Sequence, residues 1–231
     1  ITRKAIKAII MTSKVTLISY SQASDKFENL GLKDCQELIA YCARVSNPSN
    51  QLNSETSEKL IKYLINNQHW SPLEMVNVCL EIDTTRDIAR QILRHRSFSF
   101  QEFSQRYANP TKDMEFVTRE ARLQDDKNRQ NSIDIDDSNL QKEWDQRQQK
   151  VIDEALAAYQ WAIEKGIAKE QARAVLPEGN TKSRLYMNGT LRSWIHYIQL
   201  RAGHGTQKEH IEIAKACALV ISKIFPMADS L

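Results

Sequence analysis

The chain is short of the residues that mark several large enzyme classes. Only 6 of its 231 residues are glycine. No GxGxxG follows a strand pattern and no GxxxxGK[ST] occurs, so neither a Rossmann dinucleotide site nor a P-loop is available. The fragment Gly203-His204-Gly205-Thr206 follows a helical pattern and lacks the third glycine. The 4 cysteines, Cys35, Cys42, Cys79 and Cys217, have no CxxC spacing and lie in apolar patterns, which predicts reduced, buried thiols of a cytoplasmic protein rather than a disulfide framework. HExxH and GxSxG are missing too, so metalloprotease and serine hydrolase chemistry has no support and no metal is expected. There is no apolar run of about eighteen residues and no secretory leader layout, so neither a membrane span nor export is expected. Lys plus Arg number 32 against 29 acidic residues, and a formal charge of +3 spread along the chain is a small imbalance for a dedicated nucleic-acid protein.

What is present predicts one domain. The length suits a single core. Residues 15–20 alternate with β-branched enrichment and are expected as a strand, which places the natural start near Met11 and makes residues 1–10 an upstream or expression remnant. Helical spacing recurs over residues 33–44, 57–66, a stretch opened by Thr85, a long segment from Ser138 to Gly166, residues 169–176, residues 191–200 behind Thr190, and a last helix reaching Phe225 before Pro226. Val76, Val78, Leu80 and Ile82 alternate with polar residues and predict a strand with one buried face. The expectation is an α+β domain over residues 11–231, a mixed sheet flanked by helices, with a helix-rich C-terminal half. Residues 124–137, rich in Asp, Asn and Gln, are expected as a surface insertion.

The chemistry is concentrated in residues 94–107. Arg94-His95-Arg96 leads to Glu102, Ser104, Gln105 and Arg106, with Gln91 one helical turn upstream. Guanidinium forks bind anionic, planar groups through paired charge-assisted hydrogen bonds and stay charged at any physiological pH. Arg86, Arg90 and Arg94 recur at four-residue spacing, and such a face calls for an anionic partner from the protein or from a ligand. Further along stand Arg173, Arg201, His69 and His196. This set suits binding an anionic ring system and tuning its charge, with a cofactor supplying the hard step. Arginines interleaved with Phe98, Phe100 and Phe103 also fit a nucleic-acid surface, which would show steep salt dependence and no colour.

Arg94-His95-Arg96, seven residues and then Ser104 resembles the RHRx7S signature of the flavin-dependent thymidylate synthases, the ThyX family. The segment from His69 through Ser71-Pro72 to Glu74 is similar to the family's H-x-[ST]-P-x-E, and Ala43-Arg44-Val45-Ser46 to its A-R-x-S. Arg173 within Ala172 to Pro177, Arg192-Ser193-Trp194 with His196, and Arg201 followed by Gln207 and Glu209 extend the likeness over residues 15–224. Met75 stands where many relatives have histidine, and His196 where some have asparagine.

The resemblance implies reductive methylation of dUMP to dTMP, with methylenetetrahydrofolate as carbon donor, FAD as hydride carrier and NADPH as reductant. It implies Arg201 as the catalytic group, and Gln91, Arg94, Glu102, Ser104, Gln105, Arg106, Arg173 and Arg201 around dUMP, with Arg106 and Arg173 on the phosphate. It places Ser71, Arg94, His95, Arg96, Glu102, Thr190, Arg192 and His196 on FAD, and His69 on the folate side. It further implies a homotetramer with shared active sites in the cytoplasm, or in a host cytoplasm if viral, with no nucleic-acid or membrane partner. A different flavin- and folate-dependent uracil methyltransferase is the neighbouring reading, and a basic nucleic-acid-binding module the distant one.

Overall fold

The computed structural model describes residues 14–226, so residues 1–10 and Met11 lie outside the described part. Four strands form one sheet in the order β1-β2-β6-β3: β1 (Lys14–Tyr20), β2 (Asn77–Thr85), β3 (Ser99–Glu102) and β6 (Lys182–Thr190). The α+β expectation holds, although every pairing in this sheet is antiparallel where a mixed sheet was expected. Parallel neighbours need a crossover that returns the chain in the same sense. Here each helical excursion hands the chain back reversed.

Five helices lie against one face or edge of the sheet: α2 (Cys35–Ala43), α3 (Ser57–Asn66), α4 (Arg86–Ile92), α8 (Leu191–Arg201) and α9 (Lys208–Ile221). The short helices α1 (Asp25–Glu28), α5 (Pro110–Asp113) and α7 (Lys169–Ala172) occupy connections. The inward side chains of β2 (Val78, Leu80, Ile82) and β6 (Leu185, Met187) meet Ile39, Ile61, Ile88, Trp194, Ile213 and Phe225 in one core. Trp194 is fully buried and its indole Nε1 donates to Val78 O at 3.0 Å, so the bulkiest core side chain carries no unmet donor. On the other face Arg184 grips Asp83 with two hydrogen bonds of 2.7 and 3.0 Å beside the exposed Tyr186 and Ile18.

Strand β6, the partner of both β2 and β3, has no counterpart in the sequence reading. Only Leu185 and Met187 are large and apolar among its inward residues, while Ser183 and Gly189 fill the other inward places, so its alternation is too short to stand out. Gly189 has a tertiary reason: a Cβ there would lie 2.5 Å from Cδ1 of Phe98. Phe98 is itself packed on Trp194 with ring centroids 4.8 Å apart. Gly189→Ala is therefore expected to cost about 1–3 kcal/mol, read as a lower urea midpoint at unchanged slope.

Helix α6 (Ser138–Glu164) is capped by Asp137, whose carboxylate accepts from Asn139 N and Leu140 N at 3.0 Å, and it ends before Gly166 at φ 75°. The expected insertion is structured: β4 (Arg122–Gln124) and β5 (Ser132–Asp134) form a hairpin. Lys208, at the start of α9, bridges Glu120 (2.7 Å) and Asp134 (3.0 Å), and Arg122 pairs with Glu209, so the hairpin is tied to the segment just after Arg201. Cys35 and Cys217 are buried as expected, but Cys42 and Cys79 are only half-buried; all four are free thiols. Among the described residues no helix is long and apolar enough to cross a membrane.

Candidate active site

Helix α4 ends at Ile92, so Arg94, His95 and Arg96 stand on a connector rather than on the helix end. The connector is held at its far end. Ser193 Oγ donates to Ser97 O at 3.2 Å, Thr190 caps α8 by accepting from Ser193 N at 3.2 Å, and Phe98 enters the core against Trp194. The flanking arginines are left exposed. Neither Arg94 nor Arg96 has a carboxylate partner among the described residues.

His95 faces inward. Arg201, the last residue of α8 rather than a loop residue, donates from Nε to His95 Nε2 at 2.9 Å. His95 Nε2 must therefore be an unprotonated acceptor. Burial first, then the charges of Arg201 and Arg94, hold the imidazole down to about pKa 4, so it is neutral at physiological pH. Beneath it Tyr197 packs edge-on at 4.9 Å, and the Tyr197 hydroxyl meets His210 Nε2 at 3.0 Å. His210 is fully buried; burial, Arg201 and His95 push it down to about 3. Its Nδ1 reaches Gln91 Oε1 at 3.3 Å, and Gln91 Nε2 donates to Gln207 Oε1 at 2.9 Å. The sequence reading missed Tyr197 and His210, which look like ordinary members of buried helical stripes.

These two histidines set an acid limit. As pH falls below about 6.5, the unfolded chain takes up protons that the native imidazoles refuse until about pH 4 for His95 and about 3 for His210. The unfolded state then binds more protons, so native stability decreases as pH drops through that window. His210→Asn is expected to show a shallower loss between pH 6.5 and 4 than the parent chain when urea midpoints are compared at each pH.

The other expected residues form separate groups. Arg106 Nη2 lies 3.2 Å from Glu170, and Arg173 Nε donates to Glu170 O at 3.4 Å, so the two expected phosphate arginines meet around one α7 residue. Ser104 Oγ accepts from Arg106 N at 3.3 Å, while Gln105 is buried with its amide nitrogen unpaired. Glu102 accepts from Ser183 Oγ at 2.9 Å and lies 3.6 Å from the buried Arg86; Glu178 serves Arg90 at 3.3 Å. The anionic partners called for by the Arg86 and Arg90 spacing are thus the protein's own carboxylates. Arg94 has none.

Ser71 opens a 3-10 turn whose Glu74 holds Arg192, and His196, one turn on, packs edge-on against Trp70 at 4.4 Å. Burial and Arg192 lower the His196 pKa. His69 is exposed, with its ring against Tyr63 at 5.9 Å, and no contact among the described residues joins it to His95 or Arg201. Arg44, from the early A-R-x-S likeness, is buried and donates to Asn53 O and to Thr56 Oγ1 (2.8 Å), which pins the loop before α3.

The family described as "Thymidylate synthase complementing protein" matches residues 28–227 of this chain. The chain belongs to the flavin-dependent thymidylate synthase family. It is 53% identical over 189 residues to a flavin-dependent thymidylate synthase of Synechocystis sp., covering 82% of this chain and 85% of that one. It is 50% identical over 196 residues to a "Probable flavin-dependent thymidylate synthase" of Paramecium bursaria Chlorella virus 1, covering 85% and 89%. In shape it is similar to a crystal structure of a UMP/dUMP methylase from Streptomyces cacaoi bound with 5-Br dUMP, at a TM-score of 0.75 and 23% identity over 94% of this chain and 92% of that one, which supports the fold. The donor set fits the family's flavin: the exposed, carboxylate-free Arg94 and Arg96 suit a diphosphate, and the Trp70 and His196 rings with Arg192 beside them offer a surface for planar groups.

Proposed function

We propose that this chain methylates dUMP to dTMP, taking the one-carbon unit from methylenetetrahydrofolate. FAD, when bound, carries the hydride from NADPH that turns the incoming methylene into a methyl group, and tetrahydrofolate leaves. The observation that carries this reading is Arg201. Its Nε is spent on a neutral histidine, while its two terminal nitrogens have no partner among the described residues.

C5 of uracil is a weak nucleophile until negative charge builds on the ring. A guanidinium aimed by His95 stabilises that charge without having to reorient during the reaction. Arg106 and Arg173 receive the phosphate, with Glu170 turned aside. Gln91, Arg94, Glu102, Ser104 and Gln105 complete the dUMP contacts; Ser71, Arg94, His95, Arg96, Glu102, Thr190, Arg192 and His196 hold FAD, and His69 takes the folate side.

The separation of these groups within one chain fits active sites completed between copies of a homotetramer. The cysteines do not compete for the chemistry. Burial raises Cys35 to about 11 and lifts Cys42 and Cys79, so none is an activated thiolate.

The test is direct. The purified protein should be yellow, and it should form dTMP only when dUMP, methylenetetrahydrofolate and NADPH are all supplied. A protein that stays colourless when offered FAD overturns the reading.

A further inference from the structure

The buried chain of hydrogen bonds behind Arg201 has a direction. Tyr197 is 1% exposed, and His210 Nε2 is its hydroxyl's one hydrogen-bonding partner among the described residues. Two arrangements of the chain are self-consistent on paper. In one, Tyr197 O–H donates to His210 Nε2, His210 Nδ1–H donates to Gln91 Oε1, and Gln91 Nε2–H donates to Gln207 Oε1. In the other, both amides are turned over and His210 Nε2–H donates to the Tyr197 oxygen. The second leaves the phenolic proton in the core with no acceptor, a loss the first avoids.

Tyr197 thus selects the His210 tautomer, and His210 selects the orientation of the Gln91 amide. Gln91 Oε1 is consumed inside the protein. With each amide oxygen already engaged by a neighbour's N–H, the unpaired hydrogens of the two amides are one on Gln91 Nε2 and two on Gln207 Nε2. The relay is also insensitive to pH over the working range, because burial holds the Tyr197 hydroxyl protonated and His210 neutral.

We propose that Tyr197 and His210 are positioning residues that lock Gln91 as a hydrogen-bond donor, so that the site accepts a pyrimidine presenting a carbonyl oxygen there and rejects one presenting an amino group. This rests on the reading of Gln91 as a dUMP contact and takes that contact to be with the base. dUMP and dCMP differ in this way at C4, where uracil carries an acceptor oxygen and cytosine a donor nitrogen. A buried donor left facing a donor loses its hydrogen bond, and sites built on such a bond discriminate strongly.

The experiment titrates dUMP and dCMP separately into the FAD-loaded protein and follows binding by calorimetry. The parent protein is expected to bind dUMP at least about a hundredfold tighter than dCMP. Tyr197→Phe, which removes only the oxygen that sets the direction, is expected to reduce that ratio about tenfold, and His210→Leu to reduce it at least as far. Should His210→Leu fail to fold, the Tyr197→Phe ratio decides. A parent protein that binds both nucleotides equally overturns the proposal, as does a Tyr197→Phe variant that weakens both equally and keeps the parent ratio. A parent holoenzyme that binds neither nucleotide overturns the dUMP reading itself, and the lock with it.

Discussion

Arg201→Ala is expected to lower kcat by about 10²–10³-fold at saturating dUMP while the protein remains yellow. The side chain is fastened by a single bond, Nε to His95 Nε2 at 2.9 Å, and its terminal nitrogens face no carboxylate among the described residues. A guanidinium left unpaired in this way retains its full field for charge developing on a ligand, whereas one already matched to a carboxylate would be largely cancelled. Because the interaction strengthens as charge builds, its loss should fall on kcat more than on dUMP affinity. Arg201→Lys keeps the charge but cannot both accept aim from His95 and present a planar fork, so it is expected to recover only a small part of the rate. Steady-state kinetics with dTMP quantified by chromatography reads both variants. An alanine variant within about tenfold of the parent kcat would remove Arg201 from the chemistry.

Arg106→Ala is expected to weaken dUMP binding about ten- to a hundredfold and leave FAD in place, since one charge-assisted phosphate contact is worth about 1.5–3 kcal/mol. In the free protein Arg106 is not idle: Glu170 lies 3.2 Å away with both side chains about half exposed, at 57% and 49%. An exposed pair of this kind is worth about 0.2–1 kcal/mol, less than the phosphate contact, so the phosphate displaces the carboxylate at a small cost. Glu170→Gln should therefore tighten dUMP by up to about fivefold, and its benefit should vanish in the Arg106→Ala background. Binding titrations of the parent, both single variants and the double variant complete the cycle. An Arg106→Ala protein that loses its colour but binds dUMP normally would reassign the residue to the flavin.

Much of the site was legible because its residues are adjacent in sequence. Arg94, His95 and Arg96 needed no fold to be recognised as an anion-binding run, and the cap at Thr190 and the stop at Gly166 follow from local backbone chemistry. The four-residue spacing of Arg86, Arg90 and Arg94 announced a need for negative charge. It could not say that Glu102 and Glu178, distant in sequence, meet it for the first two, while the third has no carboxylate among the described residues.

Strand β6 shows where the pattern was too weak. Its inward positions hold a serine and a glycine, and the glycine is there because Phe98 occupies the space a side chain would take. Periodicity records which residues are apolar; it does not record that a neighbouring ring has already filled the gap. The sheet's direction escaped for the same reason, since strand sense is settled by how the intervening helices return the chain.

By itself the sequence determined the chemistry on offer: guanidinium groups in a cluster, few glycines, no reactive thiol setting, and a signature that names the family. Tertiary structure alone decided which of those groups are spent and which are free. Gln91, Tyr197, Arg201 and His210 come from three helices, and only their convergence makes His95 an acceptor, His210 a relay, and Arg201 a cation aimed by a neutral ring instead of a carboxylate. Burial raises the cost of an unmade hydrogen bond, so the fold can choose a single proton arrangement from several that the same residues would sample in water.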